Sequence, residues 1–144
     1  MLEIAEYMEH DELVPFYVSR GLEISEGNFE NPPIFSYLIK ENENFVGAIT
    51  CSKLENIFII EAIAVKEEYE RKKFGIKLLN FALSKMKEMN AENIILNAKN
   101  PIFFEKNGFV AMEKKEVPTN AYSYCFSCPE YELSCFPKIM KYKK

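Results

Sequence analysis

The chain has 144 residues and a formal net charge of −4, and is 48% apolar and 14% aromatic. That length and aromatic load fit one domain with its own core over residues 1–144 and exclude a disordered tail protein. The acidic balance argues against a general nucleic-acid partner, and no apolar run approaches the roughly 20 residues that cross a bilayer.

The start, LEIAEYMEHDE, lacks a basic stretch followed by an apolar core, so the expected location is the cytoplasm. Leu2 to Met8 reads as a short strand. Asp11 is a candidate N-cap for a helix through Leu13, Val14, Tyr17 and Val18, with Pro15 in its first turn. GNFENPP, from Gly27 to Pro33, is a loop by its composition. FSYLIK and FVGAITCS flank the polar ENEN, which predicts a hairpin, and a third strand follows over Asn56 to Val65. These three strands are expected to form an antiparallel sheet. From Gly75 the apolar period changes: Leu79, Ala82, Leu83, Met86 and Met89 mark one face of a helix that ends near Asn90. NIILNAK is the next strand, and PIFFEKNGF is a short helix that stops at Asn107-Gly108. A strand from Phe109 to about Lys114 and a Tyr- and Cys-rich segment at about 121–144 complete the chain. A strand, a crossover helix and a strand favour a parallel pair in the middle of a mixed sheet.

Ile57 to Leu79 carries the densest chemistry. Glu61 is the only ionisable residue between Asn56 and Lys66, in an otherwise apolar strand. Burial raises a carboxylate pKa toward neutrality and makes it a better proton acceptor; the alternative is a structural glutamate paired with a lysine or a backbone amide. After the strand come Arg71, Lys72 and Lys73, and Gly75 opens the helix. A helix N-terminus offers unpaired backbone N–H groups and a positive dipole end to a phosphate, although such cations also suit a solvated helix start.

Three of the four cysteines, Cys125, Cys128 and Cys135, crowd the C-terminus. A C-x2-C pair suits two thiolates on one zinc ion, with Cys135 as a third ligand and His10, Cys51 or a carboxylate completing the set. The alternatives are reduced cysteines packed among Phe126, Tyr131, Leu133 and Phe136, and redox chemistry or modification. His10, the single histidine, reads as a surface or helix-start residue.

Over about residues 45–115 the chain resembles the GCN5-related N-acetyltransferases. In that family a strand ending like Ile63-Ala64-Val65 leads into Gln/Arg-x-x-Gly-x-Gly/Ala, which cradles the pyrophosphate of acetyl-coenzyme A. The matching residues here are Glu70-Arg71-Lys72-Lys73-Phe74-Gly75, followed by Ile76; only the last motif position keeps its glycine. Backbone N–H groups survive the loss of a glycine, so the cradle can persist if Lys73 adopts a helical conformation; Glu70 repels phosphate mildly if it points inward, and Arg71, Lys72 and Lys73 can compensate. Asn97 matches the asparagine that approaches the coenzyme arm, with Asn100 close by, and Phe103 and Phe104 fall in the following helix. Phe104 stands where the family often has a tyrosine acting as general acid, a role phenylalanine cannot fill; Tyr122 and Tyr124 are the replacement candidates.

The resemblance implies an α/β (α+β) fold: a mixed, mostly antiparallel central sheet with a parallel pair at the cofactor cleft, flanked by helices. It implies acetyl transfer from acetyl-coenzyme A to a primary amine of a small molecule or peptide, with Glu61 as general base and the backbone of Ile63, Ala64 and Val65 polarising the thioester carbonyl. The expected assembly is a monomer or homodimer, without nucleic acid or membrane. The alternative is a non-catalytic acyl-coenzyme A-binding or thiol/metal-responsive module on the same fold.

Overall fold

The computed structural model describes residues 2–22, 29, 31–70, 72–113 and 138–143. In chain order these form β1 (Leu2–Glu6), a 3-10 turn (His10–Leu13), α1 (Val14–Ser19), β2 (Pro33–Glu41), β3 (Asn44–Leu54) and β4 (Ile57–Val65). A second 3-10 turn (Glu67–Tyr69) precedes α2 (Phe74–Glu88), β5 (Asn93–Asn97), α3 (Pro101–Glu105), β6 (Phe109–Ala111) and β7 (Ile139–Tyr142). The strands make a seven-stranded sheet in the order β1-β2-β3-β4-β5-β7-β6. Only β4 and β5 pair in parallel there, joined by the crossover through α2. The mixed, mostly antiparallel sheet with a central parallel pair is the expected fold.

Local chemistry explains most boundaries. The β2–β3 hairpin turns on Asn42 and Glu43, both left-handed at φ 52° and 71°, which is the backbone a two-residue turn needs to follow the strand twist. Pro15 falls in the first turn of α1, where its missing N–H costs nothing. Asp11 does not cap that helix. It lies inside the 3-10 turn, Leu13 takes the N-cap position, and neither start has a side-chain cap among the described residues. α1 closes through Gly21 at φ 88°, with Leu22 N–H reaching Tyr17 O at 3.1 Å. Asn90 closes α2 in the same way, at φ 64°, with Ala91 N–H on Met86 O at 3.0 Å. The helix therefore ends one residue before Met89, which is 47% exposed rather than part of the buried face.

Among the described residues three apolar clusters hold the sheet, the smallest of them Ile59, Ile95 and Ile139 on β4, β5 and β7. α2 lays Phe74, Leu78, Leu79, Ala82, Leu83 and Met86 on one sheet face, against Phe35, Ile39, Ile49, Phe58 and Ile60. Burying that helix face contributes on the order of 10 kcal/mol before conformational entropy is subtracted. On the opposite face α1 sets Tyr17 against Leu38, Ala48 and Ala62. Tyr17 hydroxyl meets Thr50 Oγ1 at 2.8 Å, Thr50 meets Ser36 Oγ at 2.7 Å, and Ser36 meets His10 Nδ1 at 2.7 Å. His10 thus ends a line of otherwise buried hydroxyls.

Two expectations about the C-terminal part change. The strand from Phe109 ends at Ala111, short of Lys114, which lies outside the described residues. β7, which the Tyr- and Cys-rich reading passed over, inserts between β5 and β6. Its sequence IMKY is short, and its pairing partners are remote in the chain, so no local turn signal announces it.

Candidate active site

β4 carries the site because it outruns its parallel partner. Among the described residues the β4–β5 pairing covers Ile57 to Ile60 against Asn93 to Leu96, while β4 continues to Val65. Beyond Asn97 the other strand turns toward β7, with Ala98 N–H on Lys138 O at 2.8 Å. The two strands separate, and a cleft of about 720 Å³ opens between their ends. Lys66 N–H bonds Val46 O of β3 at 2.8 Å, whereas Val65 C=O turns the other way and accepts from Arg20 Nε at 2.9 Å. In a strand successive residues alternate sides, so the N–H groups of Val65 and Ile63 face the cleft.

Glu61 sits on an irregularity that aims it. Thr50 of β3 pairs with Ala62 and Cys51 with Ile60, leaving Glu61 as the extra residue of a β-bulge. The bulge reverses the strand's alternation. Phe58 and Ile60 pack on the α2 side before it, and Ile63 and Val65 after it, while Ala62 and Ala64 join the α1-side core. Glu61 is half-buried on the cleft wall, and its Oε2 accepts from Asn31 Nδ2 at 3.1 Å. Asn31 is 4% exposed and its carbonyl accepts from the buried Ser52 Oγ at 3.1 Å, so β3 fixes the amide that holds the carboxylate. The thiol of Cys51 is pushed well above its ordinary range, chiefly by burial and then by the charge of Glu61.

The opposite wall is the start of α2. Its N-cap is Lys73, left-handed at φ 63° and ψ 18° and not in the helical conformation on which the sequence makes the cradle conditional. Lysine here takes the left-handed backbone that a glycine adopts freely, at a cost of about 1–2 kcal/mol. This orients the first turn without a side-chain cap among the described residues, leaving the Phe74, Gly75 and Ile76 amides as the helix's donor end. Gly75 does not need to be glycine for the fold. A Cβ there would meet Phe103 at 3.6 Å and Val65 at 3.8 Å, ordinary contacts within the protein.

Of the residues singled out in the sequence, Glu61, Ile63, Ala64, Val65, Lys73, Gly75, Ile76, Asn97, Asn100, Phe103 and Phe104 line this cleft. Phe74 does not: its side chain is 4% exposed in the core beside Tyr69, so only its backbone is at the helix start. Lys72 is exposed, with its ammonium 5.7 Å from the centre of the Tyr69 ring, and is absent from the lining. Asn100 caps α3, its Oδ1 accepting from Phe103 N–H at 3.5 Å. Phe104 is 6% exposed and stacks edge-on with Phe103 and Phe109, consistent with a packing residue in the cleft floor. Arg71, Tyr122, Tyr124, Cys125, Cys128 and Cys135 lie outside the described residues. Among the described residues no three His, Cys, Asp or Glu side chains cluster as a metal site, and Cys51 is fully buried in the core.

Sequence reasoning missed Asn31, Arg20 and Lys99. Arg20 Nη2 donates to Glu70 Oε2 at 2.7 Å, and Lys99 Nζ donates to Arg20 O at 3.1 Å. Asn31 precedes Pro32-Pro33, which disfavours a helical backbone at Asn31, but nothing local points that amide at a residue thirty positions on.

Comparison with known proteins accords with this geometry. A family model described as the acetyltransferase (GNAT) family matches residues 2–109. Comparison with curated proteins returns no match. Among solved structures, a GNAT-family acetyltransferase from Staphylococcus aureus Mu50 shares 21% identity over 98% of each chain, with a TM-score of 0.72. The ribosomal-protein-S18-alanine N-acetyltransferase of Escherichia coli shares 15% identity over 100% of this chain and 96% of its own, with a TM-score of 0.69. N-acetylglutamate synthase from Neisseria gonorrhoeae, solved with coenzyme A and N-acetyl-glutamate, matches 98% of this chain at 16% identity and a TM-score of 0.72; this chain spans 34% of it.

Proposed function

The chain belongs to the GNAT family of acetyltransferases, and from that premise we propose that it moves the acetyl group of acetyl-coenzyme A onto a primary amine within a ternary complex. The observation that carries this reading is the open edge of β4 beyond Ile60, set beside the N-terminus of α2 with Glu61 on a bulge between them. An elongated thioester lies along that edge with its diphosphate at the helix start, where Phe74, Gly75 and Ile76 amides and Lys73 receive it. Two of the solved structures with this fold are of enzymes whose names specify an amino-acid and a protein amine product or substrate, which supports an amine acceptor.

In the proposed reaction Glu61 takes a proton from the acceptor ammonium, directly or through one water. The free amine attacks the thioester carbonyl, and the Ile63 and Val65 amides stabilise the developing oxyanion. As the tetrahedral species collapses, the C–S bond breaks and the second amine proton ends on the coenzyme thiolate. Much of the acceleration comes from aligning the two reactants. Asn31 holds one carboxylate oxygen so that the base keeps its aim.

The test is Glu61→Gln with steady-state kinetics and coenzyme titration. The reading predicts kcat lower by about 100-fold or more at neutral pH, as loss of a general base costs, with coenzyme affinity retained. Full activity of the variant across pH would remove Glu61 as the base.

A further inference from the structure

Glu70 lines the cleft beside Lys73 and Gly75, so a carboxylate stands at the rim of a site that faces a helix donor end. Alone it would repel any phosphate there. Arg20 answers that charge from another part of the chain. Its Nη2 donates to Glu70 Oε2 at 2.7 Å, its Nε donates to Val65 O at 2.9 Å, and its Nη1 lies 3.9 Å from Glu67 Oε2. The Arg20 side chain is 22% exposed and itself lines the cleft. Its carbonyl is held by Lys99 Nζ, and a Cβ on the neighbouring Gly21 would fall 1.9 Å from that nitrogen, so the end of α1 is closely seated between the ends of β4 and β5. A guanidinium has five N–H donors in a fixed fork, and one plane serves a carboxylate and a phosphate together where a lysine ammonium does not.

We propose that Arg20 is a phosphate-binding residue of this cleft: it neutralises Glu70 and presents its guanidinium to the diphosphate of the coenzyme. The inference rests on the acetyl-coenzyme A reading above. A merely structural Arg20 would staple α1 to β4 and leave phosphate affinity untouched.

The experiment is calorimetric titration of coenzyme A into the wild type, Arg20→Gln, Arg20→Lys, Glu70→Gln and the Arg20→Gln/Glu70→Gln double variant. Turnover with acetyl-pantetheine, a thioester without phosphates, is measured in parallel. Arg20→Gln is expected to weaken coenzyme A by about tenfold or more, since it also strands Glu70 at the phosphate site. Arg20→Lys recovers part of the loss, Glu70→Gln tightens binding several-fold, and Arg20→Gln costs less in the Glu70→Gln background. The kcat/KM for acetyl-pantetheine is expected to fall by several-fold less than the coenzyme A affinity, because only the charged ligand meets the guanidinium, while both thioesters share the Val65 backbone that Arg20 Nε holds. Unchanged coenzyme A affinity in Arg20→Gln, or an equal loss with the phosphate-free thioester, overturns the proposal and leaves the function reading standing. If Arg20→Gln does not fold, unchanged coenzyme A affinity in Glu70→Gln overturns it alone. A wild type that binds no coenzyme A removes the function reading and this inference together.

Discussion

Gly75→Ala separates what the fold needs from what the ligand needs. Within the protein the added methyl meets only Phe103 and Val65 side-chain atoms at 3.6–3.9 Å, so it creates no clash. Gly75 is the second residue of α2, where alanine gains helix propensity worth about 0.5–1 kcal/mol at most. For a chain of this size that corresponds to a melting temperature unchanged or raised by about 2–4 °C. A diphosphate resting on the Gly75 and Ile76 amides must approach the backbone to hydrogen-bond distance, and the methyl occupies that approach. Losing one charge-assisted hydrogen bond of about 1.5–3 kcal/mol raises the coenzyme A Kd by about 10- to 150-fold. Thermal unfolding and calorimetry on one preparation read both quantities. A melting point lower by several degrees would show that the glycine serves packing, and an unchanged Kd would refute the placement of the diphosphate.

Lys73→Gly relieves the left-handed lysine, partly offset by greater freedom of the unfolded chain, and should raise stability by about 0.5–1 kcal/mol; a lower melting point would show that the lysine side chain contributes more than the backbone loses. Asn31→Ala frees the Glu61 carboxylate from its amide and is expected to lower kcat several-fold with the KM for acetyl-coenzyme A unchanged; an equal loss in both would mark a folding defect instead. Burial raises the pKa values of Tyr17 and Cys51 above their ordinary values of 10.0 and 9.0. The native state therefore binds protons that the unfolded chain releases, so this stability is complete below about pH 9 and is lost as pH rises, by about 1.4 kcal/mol per unit per group. Cys51→Ala and Tyr17→Phe should each flatten the alkaline fall in denaturant midpoint; identical slopes would contradict the burial argument.

Elements set by local chemistry were legible in the sequence. ENEN marks a hairpin because two polar residues tolerate positive φ, Asn90 closes a helix for the same reason, and the three-and-four spacing of Leu79, Ala82, Leu83 and Met86 marks a buried face. What stayed hidden depends on contacts between remote residues. The bulge at Glu61 exists only as a register shift against Thr50 and Cys51, so an apolar strand gives no sign of it. The Arg20–Glu70 pair joins positions fifty residues apart, so the turn's own sequence offers only Arg71, Lys72 and Lys73 to offset Glu70. Lys73 is left-handed although nothing in its side chain favours that backbone, so the helical conformation on which the sequence makes the cradle conditional is not the one found where the turn after β4 meets α2.

The most direct test follows free thiol release when the protein is mixed with acetyl-coenzyme A and a panel of amino acids, polyamines and peptides with free amines, with coenzyme A titrated by calorimetry in parallel. Saturable coenzyme A binding and amine-dependent thiol release with intersecting initial-velocity lines are expected, as a ternary complex requires. Coenzyme A binding without thiol release across the whole panel would contradict the transferase reading and favour a non-catalytic acyl-coenzyme A-binding module.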